Sequence, residues 1–195
     1  MNVATIDKRV PRPRRPDAEL LARVAEADLT ALGELFDRHH QDVRRVLARL
    51  LPGSGDVDDL VQATFLELPR AAVNFEGTGS CKPWLAGIAV RLAFRHRRGM
   101  GRFFRALAAF AQVSPSRVER TPEAATSDKN ELEVFERALA TISEKKRAVF
   151  VLVELEGLSA EEASRALGVP AATVRTRLFH ARAELRAAMK RGGAW

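Results

Sequence analysis

Residues 159–189 read SAEEASRALGVPAATVRTRLFHARAELRAAM, a pattern that predicts two helices joined by a tight turn. Ser159 with Glu162 three residues later forms a capping box, which marks the start of the first helix. Gly168 can adopt the left-handed conformation that ends this helix, and Pro170 suits the first turn of the next. Apolar residues then recur at helical spacing: Val174, Leu178, Ala181, Leu185 and Ala188.

A short helix, a glycine turn and a long basic helix together match the helix-turn-helix motif. In that motif the second helix enters the major groove of DNA, and its early residues meet the base edges. The alternative is an ordinary helical hairpin with a solvated charged face. Charge favours DNA binding, because residues 170–195 hold six Lys or Arg residues against one acid, Glu184.

The composition of the whole chain also favours a polyanionic partner. Its 195 residues carry a formal net charge of +7, and the isoelectric point is near 10.4. The single cysteine, Cys81, excludes an intramolecular disulfide and fits a reducing compartment. Because we find neither an apolar run long enough to span a bilayer nor a secretory signal, we expect a cytoplasmic protein without membrane insertion.

We predict an all-α fold of two small helical domains joined by a flexible linker. Residues 1–18 carry basic residues among prolines, which predicts a disordered basic tail. Residues 19–100 form the first domain and residues 131–191 the second. Residues 101–130, around the stretch SPSRVERTPEAATSD, are predicted to be the linker, in which residues 103–112 could form a short helix. No segment shows the alternation of a strand.

The first domain contains a helix with an acidic start, at residues 56–68 (DVDDLVQATFLEL). Its first turn carries three acids, where the helix dipole favours negative charge: Asp56, Asp58 and Asp59. These acids could serve as capping charges alone, or together with Gln62 they could form a docking face for a partner. Pro69 is expected to end or kink this helix.

A polar, glycine-rich loop follows at residues 74–82 (NFEGTGSCK), and Pro83 opens the next helix. The far end of that helix is strongly basic and includes Arg91, Arg95 and Arg98. A basic stripe beside aromatic side chains is what single-stranded nucleic acid requires, since bases stack on rings and phosphates pair with arginine. The alternative is that Phe75 and Trp84 are ordinary core aromatics.

No pattern in the sequence points to catalysis. The four histidines lack a cluster of carboxylates or thiols at metal-ligand spacing. We find neither a phosphate-binding glycine loop nor a nucleophile elbow. We therefore expect a protein that is not an enzyme and that needs no cofactor or metal.

Two stretches in this order resemble the bacterial RNA polymerase sigma factors of the sigma-70 family. DVDDLVQATF, the glycine-rich loop and WLAGIAVRLAFRHRR resemble region 2, and LSAEEASRALGVPAATVRTRLFHARAEL resembles region 4. The order, spacing and length are similar to those of the extracytoplasmic-function (ECF) group, which keeps only these two domains. The resemblance covers residues 27–98 and 132–189.

The resemblance implies a subunit that binds core RNA polymerase and directs promoter recognition, DNA melting and transcription initiation. It implies that the clamp helices of the largest polymerase subunit contact Asp56, Asp58, Asp59 and Gln62. The flap and an anti-sigma factor are further implied partners. The minus-10 element, with one unstacked base, would contact the loop and the helix after it: Asn74, Phe75, Ser80, Lys82, Trp84, Arg91, Arg95 and Arg98.

The resemblance also implies that the second helix of the helix-turn-helix reads the minus-35 promoter element. The residues facing the groove would be Arg175, Thr176, Phe179 and His180. Thr173 is a further implied contact, and Arg177 and Arg182 would lie nearer the phosphates or the contact between this helix and the core.

Two other classes of function remain open. A stand-alone helix-turn-helix regulator would dimerise on paired half-sites without polymerase, although the N-terminal half lacks the strand and helix alternation of a receiver domain. An enzyme acting on nucleic acid would use the acidic cluster as a metal site. Asp56, Asp58 and Asp59 lie too close together on one helical turn to enclose a metal by themselves.

Overall fold

The computed structural model describes residues 15–75, 77, 80–111 and 127–192. The helices of the N-terminal half (residues 15–111) are α1 (Asp17–Ala25), α2 (Leu29–Leu50), α3 (Val57–Leu66), α4 (Leu68–Ala71), a 3₁₀ turn (Ala72–Asn74) and α5 (Lys82–Ala111). Those of the C-terminal half (residues 127–192) are α6 (Ser127–Thr141), α7 (Glu144–Phe150), a π-helical turn (Val151–Leu155), α8 (Ala160–Leu167) and α9 (Ala171–Arg191). Since the described residues contain no strand, the all-α prediction is confirmed.

Two predicted segments fall partly outside the described residues. Of the predicted basic tail, residues 1–14 lie outside them, and of the predicted linker, residues 112–126 do. In the part of the chain that the structure describes, no helix is both long and apolar enough to cross a membrane.

The N-terminal half packs around α2. The Asp28 side chain caps this helix and accepts hydrogen bonds from the N–H groups of Thr30 and Ala31, which the first turn leaves without helical partners. Buried side chains recur along the helix: Ala31, Leu35, His39, Val43, Val46, Leu47 and Leu50. Because this stripe packs against α1, α3 and α5, α2 is the central helix of the half.

The break predicted at Pro69 occurs just before it. Helix α3 ends at Leu66, and Pro69 lies in the first turn of α4. A proline ring inside a continuous helix would clash with the carbonyl four residues earlier, whereas in a first turn its missing N–H costs nothing. The joint therefore turns the chain toward the glycine-rich loop.

Helix α5 is longer than the sequence predicts. In place of the predicted linker from residue 101, with a separate short helix at residues 103–112, one helix runs from Lys82 to Ala111. Each of the two glycines near that predicted boundary, Gly99 and Gly101, costs roughly 1 kcal/mol relative to alanine. No proline occurs between Pro83 and Pro115, so nothing blocks the helix sterically, and its good helix formers outweigh the glycines.

The predicted helix-turn-helix is confirmed in detail. The Glu162 N–H donates to Ser159 Oγ at 3.2 Å, and the Ser159 N–H donates to the Glu162 carboxylate at 2.8 Å, which completes the capping box. These hydrogen bonds lower the pKa of Glu162. Gly168 has φ +64° and closes α8 in the left-handed conformation, and Pro170 immediately precedes α9.

Ser159→Ala is expected to lower the free energy of unfolding by about 1 kcal/mol, because the first turn of α8 loses its capping side chain. Ser143→Ala is a matched control, since Ser143 precedes α7 but makes no side-chain cap hydrogen bond. Urea unfolding followed by circular dichroism measures both variants. Equal losses in the two would contradict the role of the cap.

The two halves pack directly against each other. One hydrophobic cluster includes buried residues of both halves, and the most extensive contact between the halves joins α5 to α8. Gly87 of α5 lies so close to α8 that a Cβ added there would stand 2.4 Å from the carbonyl oxygen of Ala166. A glycine is therefore required at this crossing for the observed approach of the two helices.

Candidate docking and nucleic-acid interfaces

The three acids at the start of α3 differ in their surroundings. The Asp56 carboxylate lies 3.1 Å from His96 Nε2, and the exposed Asp58 carboxylate accepts from Arg44 Nε at 2.8 Å. Asp59 is exposed and makes no hydrogen bond or ion pair among the described residues. Of the three, Asp59 has the carboxylate available to another molecule.

An apolar groove that was not predicted from the sequence is lined in part by Gln62, which stands three residues after Asp59 on α3. It has a volume of about 330 Å³ and is lined by Leu29, Leu32, Gly33, Phe36, Gln62, Phe65 and Leu66. Leu29 and Leu66 are 76% and 72% exposed, which is unusual for large apolar side chains that cluster together. Leu66 stands seven positions after Asp59 and outside the buried stripe of α3. This position of a large apolar residue off the buried face is the sequence feature that could have indicated the groove.

The glycine-rich loop packs by its aromatic residues. The rings of Phe75 and Trp84 meet edge to face with centroids 5.2 Å apart, and both side chains are half-buried against the core. Asn74 and Ser80 are exposed. The Lys82 N–H donates to Ser80 Oγ at 3.2 Å, which anchors the end of the loop at the start of α5.

Two of the predicted minus-10 residues face the C-terminal half. Lys82 Nζ lies 3.4 Å from the Glu156 carboxylate, and Arg91 Nη1 donates to the Ala166 carbonyl at 3.5 Å. The structure therefore brings both cations to the boundary between the halves.

Arg95 and Arg98, the other two basic residues among the predicted minus-10 contacts, lie on the exposed part of α5. The Arg95 guanidinium donates to the Glu67 carboxylate at 2.8 Å. Arg98 is exposed and has no polar partner among the described residues. The basic stripe predicted for this helix is thus divided between paired and available cations.

Helix α9 presents the four predicted groove-facing side chains to solvent: Arg175, Thr176, Phe179 and His180. Phe179 is 70% exposed, and its ring meets that of His180 edge to face, 5.5 Å between centroids. An exposed aromatic pair flanked by basic residues can contact base edges and methyl groups in a major groove. Thr173 and Arg177 are half-buried.

Two arginines of α9 form ion pairs with acids that were not predicted from the sequence. The Arg175 guanidinium contacts the Glu161 carboxylate, and Arg182 contacts the Glu154 carboxylate at 2.5 Å. Both pairs are largely exposed, so they are worth little in stability. Phosphates can therefore replace these acids at small cost.

One buried cluster offers atoms that could hold a metal. Ligand atoms of Asp17, His39 and Cys81 lie within 4.8 Å of one another. The Asp17 oxygens are already occupied, since one accepts from Arg38 at 2.5 Å and the other from the Cys81 N–H at 3.0 Å. Burial and the neighbouring Asp17 carboxylate raise the pKa of the Cys81 thiol. Because Arg38 occupies one Asp17 oxygen and the Cys81 thiol stays protonated, the cluster is poorly suited to a metal ion. We interpret it as a structural contact that joins α1, α2 and the start of α5.

Both halves of the sequence match family models. The sigma-70 region 2 model matches residues 35–103, and the sigma-70 region 4 model matches residues 132–185. The ECF RNA polymerase sigma factor SigM of Mycobacterium tuberculosis is 33% identical over 175 residues, which cover 89% of this chain and 85% of that protein. The ECF RNA polymerase sigma-E factor of Escherichia coli is 31% identical over 179 residues, which cover 85% and 90%.

Solved structures are similar over most of the chain. CnrH, solved in complex with the cytosolic domain of CnrY, has a TM-score of 0.64 and 26% identity, covering 89% of this chain and 97% of CnrH. The sigma factor RpoE of Bartonella quintana, solved with the anti-sigma factor NepR, has a TM-score of 0.64 and 24% identity and covers 81% of this chain and 96% of RpoE. The second likeness shows a shared fold.

Proposed function

Since this chain belongs to the sigma-70 family as an ECF RNA polymerase sigma factor, we propose that it docks on core polymerase through the face formed by Asp59, Gln62 and Leu66. Its function is promoter recognition and transcription initiation. Residues 19–100 are proposed as the unit that binds polymerase and the minus-10 element, and residues 131–191 as the unit that binds the minus-35 element. Of the proposed linker, residues 101–130, the first eleven residues belong to α5, and of the proposed basic tail, residues 1–18, Asp17 already lies in α1.

The observation that carries the docking proposal is the apolar groove lined by Gln62 and Leu66, residues of the α3 face that also carries Asp59. Exposed apolar surface next to an unpaired carboxylate is typical of protein interfaces, where a desolvated apolar centre is flanked by charges that set orientation. Asp59, Gln62 and Leu66 are spaced three and four residues apart, so they lie on one face of α3. Asp56 and Asp58, which have partners within the chain, are proposed to act at the edge of this face.

The proposal for DNA rests on the distribution of exposed cations and aromatics. On the C-terminal unit, α9 would place Arg175, Thr176, Phe179 and His180 in the major groove, where one bidentate arginine contact is worth about 1–3 kcal/mol of discrimination. Thr173, Arg177 and Arg182 would stand nearer the phosphates. The N-terminal unit would hold melted DNA through its loop and the start of α5, with these residues in contact: Asn74, Phe75, Ser80, Lys82, Trp84, Arg91, Arg95 and Arg98.

Further partners follow from the family. We propose that the polymerase flap contacts the C-terminal unit and that an anti-sigma factor regulates the protein, as the complex of the similar fold RpoE with NepR suggests. We also propose that the protein is not an enzyme and acts in the cytoplasm, at the nucleoid when bound to polymerase.

Asp59→Arg is expected to weaken binding of core RNA polymerase at least about tenfold, or about 1.4 kcal/mol, because the substitution removes the free carboxylate and sets a cation in its place. The matched control is Glu19→Arg, a charge reversal of an exposed acid on α1, which should bind as the wild type does. Purified core polymerase titrated against each full-length chain, with fluorescence anisotropy as readout, gives the dissociation constants.

Equal weakening by both reversals, or by neither, would contradict the proposed docking face. If the wild type fails to bind core polymerase but binds a palindromic duplex tightly without it, the stand-alone regulator is the better description. A dimer on paired half-sites would then be seen in the absence of polymerase.

A further inference from the structure

One wall of the apolar groove between α2 and α3 contains a glycine. Gly33 lies in the second turn of α2, is exposed and lines the groove. In a helix interior a glycine is about fivefold less favourable than alanine, because its backbone loses more freedom on folding. Packing among the described residues does not require a glycine here, since a Cβ added to Gly33 would meet nothing within 4 Å. Gly87 of α5 is the opposite case, because a Cβ there would collide with the Ala166 carbonyl.

Two helical faces form this groove. Its lining residues are spaced three and four positions apart on each helix, so they share one face of α2 and one face of α3: residues 29, 32, 33 and 36, and residues 62, 65 and 66. The rings of Phe36 and Phe65 meet edge to face, with centroids 4.9 Å apart. Phe65 is buried, whereas Leu29 and Leu66 are strongly exposed. The groove therefore has an aromatic base, two apolar edges and, at Gly33, one position without a side chain.

The α3 face that carries one wall of the groove also carries negative charge. Asp59, three residues before Gln62, is exposed and has no partner among the described residues. A partner that inserts an apolar side chain into the groove and brings a cation to Asp59 is complementary in shape and in charge. Because no side chain covers α2 at Gly33, the main chain of such a partner can reach van der Waals contact with the helix backbone there.

We propose that the main chain of core RNA polymerase packs directly against α2 at Gly33, and that any side chain at this position holds the two surfaces apart. This inference rests on the proposed docking function and deepens it. Asp59, Gln62 and Leu66 define the docking face on α3, and Gly33 sets how closely the partner approaches on α2. Gly33 is a positioning residue of the complex, and the free chain would be more stable with alanine in its place.

Gly33→Ala tests this inference, because folding and binding should respond with opposite signs. In the free chain alanine favours α2, and we expect the folding equilibrium constant to rise about 2- to 5-fold. In the complex the methyl group occupies the space of the partner main chain, so the dissociation constant for core polymerase should rise about 5- to 150-fold, the range for overpacking a close contact. Gly33→Leu, another good helix former, should weaken binding further without unfolding the chain.

Gly101→Ala and Gly101→Leu are the matched controls. Gly101 is an exposed glycine inside α5, where an added Cβ also meets nothing within 4 Å, and it is not among the lining residues of the groove. These variants should gain folding stability as the Gly33 variants do and should bind core polymerase as the wild type does. Urea unfolding followed by circular dichroism measures the folding equilibrium of the full chains, and anisotropy titration with purified core polymerase measures the dissociation constants.

Weaker polymerase binding by both Gly33 variants, with a more stable fold and no loss of binding in the Gly101 variants, is the expected result. Wild-type affinity in the Gly33 variants would overturn the inference, and if Asp59→Arg still weakens binding, the docking face on α3 stands without it. Equal weakening by the Gly33 and Gly101 variants would overturn it as well, as would a loss of folding stability in Gly33→Ala, since the glycine would then serve the fold. A wild type that does not bind core polymerase would defeat the proposed function, and this inference with it.

Discussion

Asp17→Ala is expected to lower the free energy of unfolding by about 3–5 kcal/mol, the range for removing one partner of a buried ion pair. The Asp17 carboxylate is almost fully buried and accepts from Arg38 and from the Cys81 N–H. It also lies 3.0 Å from His39 Nε2. Without it the Cys81 N–H loses its acceptor in the core, where an unsatisfied group is costly, and Arg38 keeps only the Glu34 carboxylate and the Arg15 carbonyl.

Urea unfolding followed by circular dichroism measures this loss. Asp37→Ala is the matched control, an exposed aspartate of α2 with no polar partner among the described residues, and its effect should stay within about 0.5 kcal/mol. If the two variants lose the same stability, Asp17 is not the joint of α1, α2 and α5 that the geometry indicates.

The loss of folding stability at acid pH should also depend on the Asp17 carboxylate. Burial alone would raise the pKa of Asp17, but the hydrogen bonds from the Cys81 N–H and Arg38 and the proximity of His39 outweigh it, so the pKa lies below its usual value. Its stabilisation is therefore complete above the unfolded value of about 3.9 and is lost as the pH falls through the folded value. Asp17→Asn should show a shallower loss of stability below about pH 4, and an unchanged acid slope would contradict this assignment.

Arg147→Met is expected to lower the free energy of unfolding by about 3 kcal/mol, because buried carbonyls lose their donors. The Arg147 side chain is 3% exposed and donates to three backbone carbonyls: Leu50 at 3.0 Å, Ala140 at 2.6 Å and Ile142 at 3.2 Å. Those carbonyls end α2 and α6, where a cation also faces the negative ends of the helix dipoles. Methionine replaces the apolar stem of the arginine side chain, is shorter than it, and donates no hydrogen bond.

Arg137→Met is the control for this substitution. Arg137 lies on α6, is exposed, and donates to the Glu133 carbonyl, so its loss should change stability by less than about 0.5 kcal/mol. Burial and the neighbouring Arg97 lower the pKa of Arg147 to about 10, so the group remains charged at neutral pH. A loss at Arg147 no larger than that at Arg137 would mean that the carbonyls find other donors.

Local chemistry was enough to predict the helix-turn-helix and the all-α fold. Ser159, Gly168 and Pro170 each act within a few residues of their own position, by capping, by a positive φ or by a fixed φ. The amphipathic stripe of α2 is equally local, since side chains three and four residues apart share a face. Such features can be read from sequence because the interacting groups are close along the chain.

The end of α5 was predicted too early in the chain, because a local change in composition was given more weight than the summed helix propensities. Glycine and polar residues around position 100 resemble a boundary in composition, but a helix ends only where its continuation costs more than an alternative. With no proline before Pro115, the sum of small favourable propensities decides, and a glycine pair weighs less than its appearance in the sequence implies.

Only the tertiary structure decided which candidate groups are available to partners. The sequence presents Asp56, Asp58 and Asp59 as equivalent acids. The fold pairs the first two with His96 and Arg44, and Asp59 has no partner among the residues that the structure describes. It likewise sets Lys82 against Glu156 and Gly87 against Ala166. These groups meet across tens of residues of chain, so their contacts depend on how whole helices pack, and no local rule of capping or periodicity encodes that distance.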